Sequence, residues 1–384
     1  MVSQAEQTDE ETQLVSEGYV PFEGSIHTHL FWTDYASSRG HRPKKWISRA
    51  LSYLMPDVER FPRDVKTVSK RVLDRGINFT GLTDVVAEGD HFEHRFENLM
   101  KTKERGDRLD YRDKSPVATF VDGAGEKERR LTYERSMEIV TGQEMAHILA
   151  SRIPNFYEMK NDDGSLKYNQ VQAKAMQEKF DRYLQKRFDV PTEKRVERFL
   201  TFLKRTGCHV TIDHPMYKGM GADTIREHRD KIDALEENGN LVDSWMFNWL
   251  PKKLKMKLPV SEYNTEAVEL GRKLGMPVYY NEDAHGPGDV GRGRTVYYVN
   301  PSFVESGDIR GGVYEAMHDK DKQRFFKKGT TNHGGSLFKH VGSGQYSLVR
   351  QALGVIPESI GRATEKKPFL GRMKNWLSKF FHRH

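Results

Sequence analysis

"TEKRVERFLTFLKRTGCHVTIDH", residues 192–214, reads as one complete helix-to-strand unit. Val196, Phe199, Leu200 and Leu203 share one helical face, and Gly207 stands where a left-handed cap ends the helix. The strand CHVTIDH then follows. The same grammar recurs in DVKTVSKRVLDRG (64–76) before INFTGLTD, in TIREHRDKIDALEENG (224–239) before NLVDSWMF, and in TEAVELGRKLG (265–275) before MPVYYNED. Short apolar strands of this kind are those buried on both faces by helices, so the units predict an α/β protein with a parallel sheet, open or closed into a barrel. Polar residues stand at the strand ends: Asp84, His214, Asn248, and Asp283 with His285. In β/α barrels that end carries the chemistry.

The stretch "GSIHTHLFWTD", residues 24–34, adds the strongest chemical signal. Successive strand side chains alternate faces, so His27 and His29 point the same way. Two adjacent imidazoles are awkward to bury and natural to offer a metal ion. Asp34 follows closely, TGQEMAHILA carries Glu144 and His147, TIDHP carries His214, and NEDAHGPGDVG carries Asp283 and His285. Imidazole and carboxylate donors without sulfur suit Zn, Mn or Fe, and this many donors accommodate at least two ions. By period two His209 faces away from His214 and reads as structural, and Asp213 is expected to face away too. A lone His-x-His is more often structural than metal-binding, and Asp34 alone reads equally as a turn cap. Arg39 and His41 after the first motif, and Arg292 and Arg294 after the last, are candidate substrate contacts, because arginine grips phosphate oxygens bidentately. Ordinary loop charge is the competing reading.

The bulk numbers narrow the class. Of 384 residues, 36% are apolar and 30% charged, and no apolar run approaches a transmembrane span. Cys208 is the single cysteine, which rules out an intrachain disulfide and a multi-thiolate metal site. The acidic start MVSQAEQTDEETQ lacks a signal-peptide core, and a cytoplasmic location is expected. The net charge of +7 favours phosphate-bearing or acidic partners without demonstrating nucleic-acid binding.

The expected organisation is a polar N-terminal extension (1–21), a barrel domain (22–310) with charged insertions near 90–130 and 155–190, and a C-terminal extension (311–384). That extension ends in a basic amphipathic helix. Phe369, Met373, Trp376, Leu377, Phe380 and Phe381 lie largely on one face, so residues 369–384 are a candidate for peripheral membrane contact or for folding back on the domain. The lysine run PKKLKMKLP is a weaker candidate for anionic partners.

Taken together, the ordered motifs resemble the PHP (polymerase and histidinol phosphatase) superfamily of metal-dependent phosphoesterases. The family's H-x-H-x4-D is matched by His27, His29 and Asp34, its G-x-E by Glu144, and its following His by His147. The His before Pro is matched by His214 and the closing S-D-A-H by Asp283 and His285, over residues 22 to about 300. The resemblance implies a distorted (βα)7 TIM-like barrel holding up to three metals. His27, His29, Glu144 and Asp283 would form one site, and Glu144, His147 and His214 a second. Asp34 and His285 would orient the leaving group or hold a weaker third ion. Val85 stands where the family has a His in T-D-H, so the third position would need Asp84, Glu88 or His91. The implied activity is hydrolysis of a phosphate ester by a metal-bridging hydroxide with Glu144 between the ions, a phosphorylated small-molecule monoester ahead of a nucleic-acid diester. The rivals are a nuclease, and a barrel without turnover that docks to a membrane or protein.

Overall fold

The computed structural model describes residues 4–29, 65–88, 91–92, 95–101, 108–125, 128–142, 147–216, 220–238, 260–281, 293–319 and 322–328. All of them belong to one compact unit, residues 1–35 and 60–332. Helix α1 (Gln4–Ser16) precedes β1 (Val20–Thr28), and α2 (Val65–Asp74) leads into β2 (Phe79–Ala87). Then come β3 (His91–Phe92), α3 (Arg95–Lys101), β4 (Leu109–Tyr111), β5 (Val117–Asp122), β6 (Arg129–Val140) and β7 (His147–Ser151). Helices α4 (Gln170–Gln185) and α5 (Thr192–Arg205) lead to β8 (His209–Ile212), α6 (Gly221–Glu227) and β9 (Ala234–Asn238). The chain continues through α7 (Val260–Leu274), β10 (Val278–Asn281), β11 (Arg294–Val299), α8 (Pro301–Ser306), α9 (Ile309–His318) and β12 (Phe325–Lys328).

Nine strands form one path, β10-β9-β8-β7-β6-β2-β1-β11-β12, with β3, β4 and β5 branching from it. The path curls until its ends nearly meet. The Asn281 side chain at the end of β10 accepts from the Ile26 amide of β1 at 3.1 Å, and Thr295 of β11 bonds the Tyr280 backbone at 3.1 and 3.2 Å. The result is an α/β protein with a nearly closed, barrel-like mixed sheet.

Helices cover the outside as the sequence periodicity predicts. Val196, Phe199, Leu200 and Leu203 of α5 pack on Ile148, Val210, Ile212 and Leu235, and Val65, Val68 and Val72 of α2 pack near Leu82, Leu131 and Tyr133. Each such side chain stabilises the fold by about 1.5–3 kcal/mol relative to exposure. The opposite strand faces carry Leu149 and Ala234, which pack with Ile26, Phe79, Tyr279, Tyr297 and the α9 residues Val313 and Tyr314.

The structure departs from the sequence reading in several places. The sheet is mixed rather than parallel: β7 runs antiparallel to both β6 and β8, and β11 and β12 are antiparallel as well. Only residues 141–146 separate β6 from β7, too few for a crossover helix, so the two strands pair antiparallel. The helix expected over 224–239 ends at Glu227 and gives way to β9. Asp233 stitches the chain to β8 there: its N–H donates to the Val210 carbonyl and its carboxylate accepts from the Val210 amide, both at 2.8 Å. The charged insertion near 90–130 contains the β4–β5 hairpin, which joins the sheet through β5 against β6.

Helix α4, in the 155–190 segment, buries Ala173, Gln177, Phe180 and Leu184. The sheet continues past residue 310 through β12, and α1 docks Leu14 against Val296, Tyr298 and Phe326. Asn248, the lysine run 251–259 and the 369–384 segment lie outside the described residues. Among the described residues no helix is long and apolar enough to cross a membrane.

A local irregularity in β1 prepares the site. Ser25 pairs with Thr80 but Thr28 with Leu82, so three steps of β1 oppose two of β2. Such a bulge re-aims side chains, and here it falls at Ile26 and His27. Gly81 makes it feasible, since a Cβ there would lie 2.2 Å from the Ile26 carbonyl oxygen. That obstacle is backbone and cannot rotate away. Gly81→Ala is therefore expected to destabilise the protein by about 3 kcal/mol, read from urea denaturation; an unchanged midpoint would contradict the bulge's role.

Candidate metal centre

The bulged end of β1 brings His27 and His29 together, with their Nε2 atoms 3.0 Å apart and both rings buried. His27 Nδ1 lies 2.8 Å from Glu236 Oε1 on β9 and 3.4 Å from Asp213 Oδ1 just past β8. His29 Nε2 lies 3.1 Å from Glu138 Oε2 on β6, and the other Glu138 oxygen lies 2.5 Å from His147 Nδ1. His147 is the first residue of β7. Because β7 runs antiparallel to its neighbours, its start stands at the same end as the C-termini of β6 and β8. Asp213 Oδ2 completes the set, 3.1 Å from His214 Nε2 and 3.9 Å from His147 Nδ1. His214 has a φ of 26°, and this left-handed turn presents its amide to Glu236 Oε2 at 3.2 Å.

These seven residues form three overlapping groups of ligand atoms within 4.8 Å: Glu138, His147, Asp213 and His214; His27, His29 and Glu138; and His27, Asp213 and Glu236. Three carboxylates buried together demand compensating positive charge. His27 is hydrogen-bonded to Glu236 through Nδ1 and to His29 through Nε2, but among the described residues neither Asp213 oxygen, nor His147 Nδ1, has a partner in good hydrogen-bond geometry despite the short contacts. Donor atoms that face a shared point rather than one another behave this way. The nitrogen and oxygen donor set fits divalent Zn, Mn or Fe.

The electrostatics split the carboxylates. Burial opposes ionisation of Glu138, but His147 and His29 hold its carboxyl well below the usual range. Burial likewise opposes Asp213, and His214 and His27 hold it low. Glu236 is pushed up to about 8 by burial and by the charge of Asp213. Without metal, folded Glu236 thus keeps a proton that the unfolded chain releases near its ordinary 4.5. The folded state binds more protons over that window, so this residue's contribution lowers stability as pH rises from about 4.5 to 8. Glu236→Gln is expected to flatten that part of the profile in chelator-treated protein, followed by urea unfolding at pH 5 and pH 8. A steeper fall in the variant would contradict the assignment.

Of the residues singled out from sequence, the structure brings His27, His29, His147 and His214 together. Asp34, Arg39, His41, Glu144, Asp283, His285 and Arg292 lie outside the described residues. Glu138, which the sequence reading did not single out, stands between His29 and His147. The expectation that Asp213 faces away is corrected: β8 ends at Ile212, and the turn at His214 lets consecutive residues 213 and 214 both reach the cluster. Arg294 pairs with Glu23 at 2.6 Å and donates to the Arg75 carbonyl at 3.2 Å, at the end of the sheet where β2 begins.

Two of the proposed replacements for the third-site His, Asp84 and Glu88, have ion-pair partners of their own. Asp84 accepts from Arg135 at 2.7 Å and from the Phe96 amide at 2.9 Å, and the exposed Glu88 pairs with Arg195 at 2.7 Å. The His91 side chain lies outside the described set. Sequence reasoning missed Glu138 and Glu236. The signal for Glu138 was a carboxylate inside the apolar strand SMEIV; Glu236 was hidden by the helical reading of 224–239.

No family model matches the sequence, and no curated protein matches it. A solved structure of PsfC from Pseudomonas syringae PB-5123 is similar with a TM-score of 0.40 at 14% identity, covering 87% of this chain and 99% of that one. A likeness this remote carries no argument about function.

Proposed function

We propose that this protein is a metal-dependent phosphoesterase of the PHP kind, acting on a phosphorylated small molecule. The observation that carries the reading is the group of four histidines and three carboxylates, all buried but the half-buried His147 and His214, at one end of a nearly closed barrel. His27, His29, Glu138, His147, Asp213, His214 and Glu236 would hold at least two divalent ions, with Glu138 and Asp213 each belonging to two of the overlapping groups. Bound there, such ions lower the pKa of coordinated water and draw charge from a phosphoryl oxygen. The protein's part is to fix the imidazoles. Glu236 orients His27 through Nδ1, and Asn281 holds the bulged backbone that carries it. Asp34, Glu144, Asp283 and His285 follow β1, β6 and β10 in the sequence and are proposed to complete the site.

The burial of the cluster supports a monoester of a small molecule over a polymer. The test is chelator-stripped protein reloaded separately with Mn, Zn and Fe, assayed on p-nitrophenyl phosphate and bis-p-nitrophenyl phosphate. Metal-dependent turnover with the monoester preferred is expected. Metal binding without hydrolysis of either ester would overturn the hydrolase reading, and a preference for the diester would favour a nuclease.

A further inference from the structure

A second constellation lies at the other end of the sheet and has no part in the proposed reaction. His209 opens β8, four residues and about 13 Å of strand from Asp213. Its Nδ1 lies 3.1 Å from Nε2 of His318, the last residue of α9, and 4.0 Å from Asp233 Oδ2. The three ligand atoms lie within 4.8 Å of one another. We propose that His209, Asp233 and His318 form a separate site for a zinc-class divalent ion that pins α9 to the floor of the barrel.

The geometry suits that ion. Two nitrogens bound to tetrahedral zinc stand about 3.3 Å apart, close to the 3.1 Å between the two rings. Asp233 is already oriented: Lys204 Nζ donates to its Oδ1 at 2.7 Å and the Val210 amide to its Oδ2 at 2.8 Å. Outer partners of this kind fix a ligating carboxylate, while the Lys204 charge tempers affinity. The His209 ring is clamped by Tyr279 and Tyr314, with centroids 5.7 and 5.3 Å away, and its buried Nε2 has no hydrogen-bond partner among the described residues. The ring therefore presents its polar edge through Nδ1. His318 is exposed, which leaves a route for the ion. It also ends a helix, where the backbone dipole favours a cation. The anchored helix matters to the fold, since Arg310 and Tyr314 of α9 both bond the buried Glu134 of β6.

The experiment uses the full-length, untagged chain in a His27→Ala/Asp213→Asn background, which disables the other cluster. Zinc titration should show one bound equivalent and a raised melting temperature. Adding His318→Ala, at an exposed position, should weaken that binding at least tenfold and remove the thermal shift. Asp233→Asn, which still accepts from Val210, should weaken it in the same direction. Should the background variant fail to fold, wild type is compared with His318→Ala alone, and one equivalent should be lost. No zinc bound in the background variant, or binding unaffected by His318→Ala, would overturn the site and leave a plain N–H···N hydrogen bond between the two rings. Either result is independent of whether the larger cluster hydrolyses phosphate esters.

Discussion

Asp213→Asn should strip metal from the large cluster while leaving the fold intact. The substitution keeps the shape of the side chain and removes one negative charge, so packing is preserved and only the ligand chemistry changes. Asp213 belongs to two of the three overlapping ligand groups, and it contacts His27, His147 and His214. Disturbing even an outer partner of a metal ligand weakens affinity by about 10–100-fold, and loss of a shared ligand should reach or exceed the upper figure. Turnover of p-nitrophenyl phosphate should fall at least as far, with circular dichroism unchanged. A purely structural Asp213 predicts the reverse: removing its repulsion of Glu236 would stabilise the protein and leave metal content as it was.

Stripping the metal from wild type should have the second large effect. Glu138, Asp213 and Glu236 are buried, and the surrounding imidazoles supply the compensating contacts in the metal-free protein. An ion at a hundredfold excess over its dissociation constant contributes about 2.7 kcal/mol, so two contribute roughly 5 kcal/mol. For a chain of this size that corresponds to a melting shift on the order of 10 °C. Differential scanning fluorimetry with and without chelator measures it directly. Identical melting curves would mean that the cluster is satisfied by protons alone.

The fold was legible where periodicity was unambiguous. Val196, Phe199, Leu200 and Leu203 mark α5 correctly because a helix face packed on a sheet needs that spacing. The same test misled over 224–239, where Ile225, Ile232 and Leu235 also fit helical spacing. There the deciding contact is long-range: Asp233 pairs with the Val210 backbone, and no local pattern reports it. Losing β9 meant losing Glu236.

The antiparallel turn into β7 was equally invisible to helix and strand propensities. It follows from the short 141–146 connection, and it is what delivers His147 to the histidine end of the sheet. Asp213 was misjudged because strict alternation was carried past the last ladder residue, Ile212, into a turn with positive φ. The histidines were found because paired imidazoles on one face have few structural uses. Glu138 and Glu236 were missed for different reasons: Glu138 stands alone in an apolar strand with no neighbouring motif, and Glu236 fell inside a stretch read as helix.

The most direct measurement is elemental mass spectrometry of full-length, untagged protein beside its His27→Ala/Asp213→Asn variant, each incubated with Mn, Zn and Fe and then desalted. Two or more equivalents in wild type, with two fewer in the variant, are the predicted result. Equal metal content in the two proteins, or none in either, would contradict the metal centre and with it the phosphoesterase proposal.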